Sequence, residues 1–181
     1  MLQNHKREES LLGHYNSNPS YYSSITLPVI ETLIKKSRID SLHNLNVLDI
    51  GCGDGRLLPM LENLGIKSYT GVDYSSVRTD IAGKIETNIQ VDIITNSVQD
   101  FLNTNDKQFD IVFIFEVLEH LEQPELVIES LKKVCNNIIG SVPINMPYEA
   151  HLQVYRNINE VQSQLKCKVF HTNQKHFFLE V

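Results

Sequence analysis

Between Val47 and Val142, short apolar runs alternate with stretches of helical length, and this alternation constrains the fold more than any other feature. The runs are Val47–Ile50, Ser68–Val72, Ile89–Ile94, Phe109–Phe115 and Asn137–Val142. The first stops at Gly51, the second at Asp73 and the fifth at Pro143, and all are too short for buried helices, so they read as buried strands. Helical patterns cover Arg56–Leu64, Ser75–Glu86 and Gln123–Cys135, with Gly65 as a stop and Pro124 in a first turn. Strands joined through helices require right-handed crossovers and a parallel sheet. The fourth run is the most apolar and is expected at the centre. The tail breaks the pattern. After a helical stretch at Ile158–Leu165, the β-like runs Lys168–Thr172 and Lys175–Val181 are joined by Asn173-Gln174 alone. That link is too short for a crossover, so the two runs must pair antiparallel as a terminal hairpin at one sheet edge. The expected fold is α/β: a doubly wound, seven-stranded, mostly parallel sheet with a C-terminal antiparallel hairpin. Residues 45–181 are expected to form this domain, and residues 1–44 an N-terminal arm with a covering helix around Ile25–Ile34, which Pro28 can split from a preceding turn.

A length of 181 residues accommodates one such domain and a short appendage. The formal charge of −6 disfavours a general nucleic-acid or anionic-membrane binder. Cys52, Cys135 and Cys167 form no CxxC pair, which suits a reducing compartment. The polar start MLQNHKREES is unlike a signal peptide, and the longest apolar run, Ile111–Phe115, is far short of a membrane span. A cytoplasmic location is expected.

In doubly wound sheets, ligands bind beyond the carboxyl ends of the strands. Asp49-Ile50-Gly51-Cys52-Gly53-Asp54-Gly55 lies at such an end, either as a simple tight turn or as a loop that admits a ligand close to its backbone. Asp73 ends the second strand, twenty residues after Gly53, where an acid can bond both hydroxyls of a ribose. Its other possible role, capping the following helix, is more natural for Ser75 or Ser76. Asp49 and Asp54 bracket the glycines; two carboxylates repel a pyrophosphate and suit an ammonium or sulfonium. Arg56 stands where a dinucleotide fingerprint would carry its third glycine, and there is no GxxxxGK[ST]. The loop therefore favours a nucleoside without phosphates.

Taken together, Val47–Gly55, Gly71-Val72-Asp73-Tyr74-Ser75 and Phe109–Leu121 resemble the motifs of class I S-adenosylmethionine-dependent methyltransferases. The resemblance implies a Rossmann-like domain, S-adenosyl-L-methionine as cofactor and S-adenosyl-L-homocysteine as product. It places Gly51, Cys52, Gly53 and Gly55 along the methionine part, with Asp49 orienting the loop, directly or through water to the ammonium. The start of the Arg56 helix would favour the cofactor carboxylate. Asp73, with Tyr74 beside it, would hold the ribose. The family's frequent acid near the adenine falls on Ser97, followed by Val98. Ser97 can bond the adenine edge, the Val98 N–H can bond the ring, and Asp100 can replace the missing acid or merely cap a short helix. Glu116 would face the methionine arm.

Glu116, Glu119 and His120 share the helical spacing i, i+3, i+4, which can converge on one ion. This resembles the metal cluster of small-RNA 3′-end 2′-O-methyltransferases, with His151 as a fourth ligand. The same string is common in metal-free members, and the arginine- and histidine-rich segment of the RNA enzymes is not visible. No metal is therefore expected, and His120 is read as structural or substrate-facing. Ser141–Pro147 would form part of the acceptor pocket; it lacks the [DN]PPY of amino-methylating DNA enzymes. Beyond it, His151 or Tyr155 could serve as general base, or His151 could simply bond backbone. His120 and His151 are the expected catalytic residues. Tyr15, Tyr21 and Tyr22 could close over the cofactor or only pack down. The resemblance thus implies a methyltransferase acting on a small-molecule O-, N- or C-nucleophile. No nucleic acid or membrane partner is expected, and a homodimer or partner protein could complete the pocket. The alternatives are a small-RNA-type enzyme with a metal site, an inactive cofactor-binding regulatory subunit, and a nicotinamide oxidoreductase, the last disfavoured by Arg56 and the terminal hairpin.

Overall fold

The computed structural model describes residues 30–34, 41–173 and 175–181. The chain forms two compact units, Met1–Leu42 and His43–Val181. In the first, residues 30–34 are helical and bury Ile30 and Leu33, as i, i+3 spacing on one face requires. Pro28 and the tyrosines Tyr15, Tyr21 and Tyr22 lie outside the described residues.

The second unit runs β1 (Asn46–Ile50), α1 (Leu58–Asn63), β2 (Ser68–Asp73), α2 (Ser76–Ala82), β3 (Gln90–Thr95), α3 (Val98–Thr104), β4 (Ile111–Phe115), a 3₁₀ turn (Leu118–His120), α4 (Pro124–Leu131), β5 (Ile138–Pro143), α5 (Ile158–Leu165), β6 (Lys168–Thr172) and β7 (His176–Glu180). One seven-stranded sheet results, in the order β3-β2-β1-β4-β5-β7-β6. The first five strands are parallel, and β7 runs antiparallel to both β5 and β6. The expected architecture is thus observed, with β4 as the middle strand. Within the hairpin, β7 takes the inner place. His176, Phe177, Phe178 and Leu179 are buried there, whereas β6 is only partly covered at the edge. The more apolar run gains more from a position enclosed on both sides.

One face of the sheet packs Leu48, Ile50, Val112, Ile114 and Leu179 against Phe101 of α3, Val127, Ile128 and Leu131 of α4, and Val161 and Leu165 of α5. The chain order reverses between β1 and β4, so the carboxyl ends of these two strands flank the crevice where such sheets take ligands.

Three helices are shorter than their apolar periodicity suggested: Leu58–Asn63 in place of Arg56–Leu64, Ser76–Ala82 in place of Ser75–Glu86, and Pro124–Leu131 in place of Gln123–Cys135. For α1 the reason is local. Gly55 sits at φ +78°, and the bonds Gly55 N–H to Cys52 O and Leu58 N–H to Gly55 O are those of tight turns. Residues 53–57 therefore belong to the glycine loop. With its start moved to Leu58 and its length cut to six residues, α1 offers less support to a cofactor carboxylate than the longer helix expected.

Strand packing is tight where β4 meets β5. A Cβ on Gly140 would lie 2.6 Å from the Ile114 carbonyl oxygen. Gly140→Ala is expected to destabilise the protein by about 1–3 kcal/mol through overpacking, read by urea unfolding. Unchanged stability would contradict this packing.

Candidate active site

The glycine loop hangs from the end of β2. The Val72 carbonyl accepts from the N–H groups of Gly51 (2.7 Å) and Cys52 (3.2 Å). Gly51 lies at φ +74°, and a Cβ there would collide with Val117 Cγ2, so the segment after β4 presses directly on the loop. Only glycine meets both conditions. Cys52 is buried, and burial together with the nearby Asp49 and Asp73 carboxylates pushes its thiol pKa far up. The thiol is therefore a packing group that stays protonated. Asp54, at the loop's far side, is paired with Arg56 Nε at 2.8 Å, which offsets its negative charge.

Asp73 ties the site together. Oδ2 accepts from the Gly53 N–H and Oδ1 from the Ser75 N–H, both at 2.9 Å. The buried carboxylate thus connects the glycine loop to the start of α2, and each oxygen keeps a lone pair for a further donor. Ser75 is the N-cap residue of α2 and makes no side-chain cap bond. Tyr74, beside Asp73, is 57% exposed.

Asp49 is also buried, and its Oδ2 accepts from the Tyr69 hydroxyl at 2.6 Å. Burial raises the Asp49 pKa to about 7; the Tyr69 bond opposes that rise and the Asp73 charge adds to it. Tyr69 was not among the expected site residues. Its signal was the period-two pattern of β2: Tyr69 pairs with Val47 and Gly71 with Asp49, which puts all four on one face.

At the end of β3, Ser97 caps α3. Its hydroxyl donates to Asp100 Oδ2 at 2.9 Å and accepts from the Asp100 N–H at 3.0 Å. With its one proton committed, Ser97 can still accept from an amine through its remaining lone pair. Val98 is the first residue of α3, where a backbone N–H has no intrahelical partner.

Glu116 has φ +55° and turns its carboxylate toward β5 and β7. Oε1 accepts from Ser141 Oγ at 2.6 Å, and Oε2 lies 3.2 Å from His176 Nε2. The side chain thus clasps the terminal hairpin, and it is the neighbouring Val117 that meets the glycine loop. His176 escaped the sequence reading, and Ser141 was read only as the start of an acceptor-pocket segment, because both lie far from Glu116 along the chain.

The acceptor-side residues converge. His120 Nδ1 is 2.9 Å from the Ala150 carbonyl, and His151 Nδ1 is 2.8 Å from the Met146 carbonyl. A carbonyl can only accept, so each bond requires the proton on Nδ1 and leaves Nε2 unprotonated in the neutral ring. The two rings meet edge to face, with centroids 4.8 Å apart. Glu119, between Leu118 and His120, is buried, and its backbone carbonyl accepts from the N–H groups of Leu152 and Gln153 at 2.8 and 3.0 Å. These bonds fasten the His151 loop to the 3₁₀ turn. Tyr155, the other candidate base, is 2% exposed, and burial drives its hydroxyl pKa upward. That makes it a poor proton acceptor near neutrality.

Residues 48–137 match a family model described as a methyltransferase domain. The chain is 35% identical over 104 residues to the mitochondrial ubiquinone biosynthesis O-methyltransferase of Dictyostelium discoideum, covering 51% of this chain and 32% of that protein. It is 32% identical over 121 residues to the ubiquinone biosynthesis O-methyltransferase of Rickettsia bellii, covering 65% and 49%. The chain therefore spans half or less of the length of these relatives. Among solved structures, the magnesium protoporphyrin IX methyltransferase of Synechocystis with bound S-adenosylmethionine superimposes with a TM-score of 0.61 at 21% identity, over 93% of this chain and 79% of that one. That likeness establishes the class I methyltransferase fold.

The raised pKa of Asp49 has a measurable sign. Folding raises the pKa above its ordinary value of 3.8, so stability falls as pH climbs from there to about 7 and then levels off. Asp49→Asn keeps an acceptor for Tyr69 and is expected to remove this part of the slope in thermal melts between about pH 5 and pH 7.5. Parallel slopes in both proteins would contradict the assignment.

Proposed function

We propose that residues 45–181 form an S-adenosylmethionine-dependent methyltransferase acting on a small-molecule acceptor, with residues 1–44 as an N-terminal appendage. The observation that carries this reading is the buried Asp73 carboxylate, which joins Gly53 to the start of α2 and keeps one lone pair per oxygen for the two ribose hydroxyls. The rest of the cleft fits the same group. Gly51 leaves the loop backbone bare, the Val98 N–H stands at a helix start, and Asp49 is an acid that a neighbouring cation would ionise.

The cofactor supplies a methyl group already activated on a sulfonium. The protein's own task is alignment and exclusion of water. Asp73 grips the sugar, the Gly51–Gly55 backbone follows the methionine part, and Val117 fixes the loop's position. An acceptor hydroxyl then needs a base, and the unprotonated Nε2 of His120 or His151 takes that proton. The O-methyltransferase names of the relatives favour an oxygen acceptor. The acidic balance disfavours RNA. Among the described residues no helix is long and apolar enough to cross a membrane. We place the enzyme in the cytoplasm, with a second copy or a partner protein free to complete the acceptor pocket.

S-adenosylhomocysteine is expected to raise the melting temperature by mass action and NAD to leave it unchanged. Stabilisation by NAD alone would sink the reading. Asp73→Ala should weaken S-adenosylhomocysteine binding by about ten- to a hundredfold, the worth of hydrogen bonds to a charged group, as read by calorimetry. Unaltered affinity would remove Asp73 from its assigned role. Once an acceptor is found by mass spectrometry of methylated products, replacing the catalytic histidine by alanine should lower kcat by about 10²–10⁴ with cofactor affinity preserved. Binding without any turnover would point instead to a regulatory subunit.

A further inference from the structure

We propose that Glu116, Ser141 and His176 are positioning residues for the cofactor: by fixing Val117 against Gly51 they set the glycine loop, so that cofactor affinity depends on the terminal hairpin. The inference rests on the cofactor reading proposed above and gives a part in it to side chains remote from the ligand. Ser141 Oγ donates to Glu116 Oε1 at 2.6 Å, and His176 Nε2 lies 3.2 Å from Oε2. Both carboxylate oxygens are thus engaged on the side of β5 and β7. The resemblance implied that Glu116 faces the methionine arm; its effect on that arm passes instead through its neighbour Val117.

Three observations carry the proposal. Glu116 has φ +55°, a conformation that a residue with a Cβ holds only when its surroundings impose it. Besides the two side-chain contacts, the Glu116 N–H donates to the Ser141 carbonyl at 3.2 Å. Second, this backbone sets Val117 directly onto the loop. Val117 Cγ2 fills the space that a Cβ on Gly51 would take, and Gly51 lies at φ +74°. On its other side Gly51 hangs from the Val72 carbonyl, so a Val117 that moved away would leave the loop without support from the β4 side. Third, the partners are held firmly. Ser141 and His176 are each 2% exposed. Pro143 pairs with His176 in the β5–β7 register, and the Asn173 side chain accepts from the N–H groups of Lys175 and His176, both at 2.8 Å.

Disturbing such a frame is felt at the ligand, because small displacements of a positioning element misalign groups that bind in one geometry only. The coupling also runs in reverse. If the clasp favours the loop conformation that binds the cofactor, the cofactor favours the clasp by the same factor. Two other roles compete for the same three side chains. One is purely architectural: they close the β5–β7 edge and do nothing for the loop. The other is direct contact between Glu116 and the cofactor. Affinity, stability and hydrogen exchange respond differently in each case.

The test measures S-adenosylhomocysteine affinity of the full chain by calorimetry, with a thermal melt of each variant to confirm that it is folded. His176→Leu and Ser141→Ala should each weaken binding by about 3- to 30-fold. His176→Gln, which keeps a nitrogen donor at similar reach, should recover most of that loss. Leu179→Val, a cut in the buried core on the same strand, should lower the melting temperature and leave affinity intact. In the wild type, S-adenosylhomocysteine should slow amide exchange at Lys175 and His176 as well as in Gly51–Gly55. If His176→Leu does not fold, Ser141→Ala and the exchange measurement decide. Unaltered affinity in the folded variants, an equal loss in Leu179→Val, no recovery in His176→Gln, or hairpin exchange indifferent to the ligand would each overturn the proposal and leave the cofactor reading standing. Weak binding in Glu116→Gln with full affinity in Ser141→Ala and His176→Leu would overturn it in favour of direct contact. A wild type that does not bind S-adenosylhomocysteine would overturn the cofactor reading and this proposal with it.

Discussion

The carboxylate of Asp73 is the interaction on which the rest of the site depends. It lies at the end of β2, buried, with one oxygen on the Gly53 N–H and the other on the Ser75 N–H. A residue in a central strand is held rigidly, and a charged acceptor bonding two backbone donors is among the stronger hydrogen-bonding arrangements available to a protein. The glycine loop has positive φ at Gly51, Gly53 and Gly55, and its own bonds are those of tight turns. It borrows its shape from β2, through Asp73 and through the Val72 carbonyl.

A second set of contacts reaches the loop from the other side of the crevice. Val117 occupies the space that a side chain on Gly51 would need. Val117 is carried by Glu116, whose left-handed backbone is matched by a side chain bound to Ser141 and His176. The terminal hairpin thus acts on the loop at one remove: β7 brings His176, His176 meets Glu116, and Glu116 carries Val117. Loop, clasp and histidine pair all stand at the carboxyl ends of the strands, where parallel order collects them.

The strands were readable from the sequence because both faces of a parallel sheet are covered, so each strand appears as a continuous apolar run. The hairpin was readable because two residues cannot span a crossover. The glycine loop and Asp73 were readable through spacing. Helix ends were not: Leu57, Leu58, Leu61 and Leu64 keep helical periodicity across a boundary that the glycine turns decide. Tyr69 beneath Asp49 left only a weak period-two trace. The Glu116–Ser141–His176 clasp left none, since it joins three strands through pairings that only the folded sheet creates. The meeting of Glu119 with His151 was legible only through the resemblance to the small-RNA enzymes; backbone bonds from Leu152 and Gln153 across the sheet's end make it.

The central claim is that a phosphate-free adenosine derivative lies over the ends of β1 and β2 with its sugar on Asp73. A crystal of the protein grown with S-adenosylhomocysteine tests this most directly. The account predicts both ribose hydroxyls within hydrogen-bond distance of the Asp73 oxygens and the adenine beside Val98. A ligand seated elsewhere, or a ribose turned away from Asp73, would contradict it.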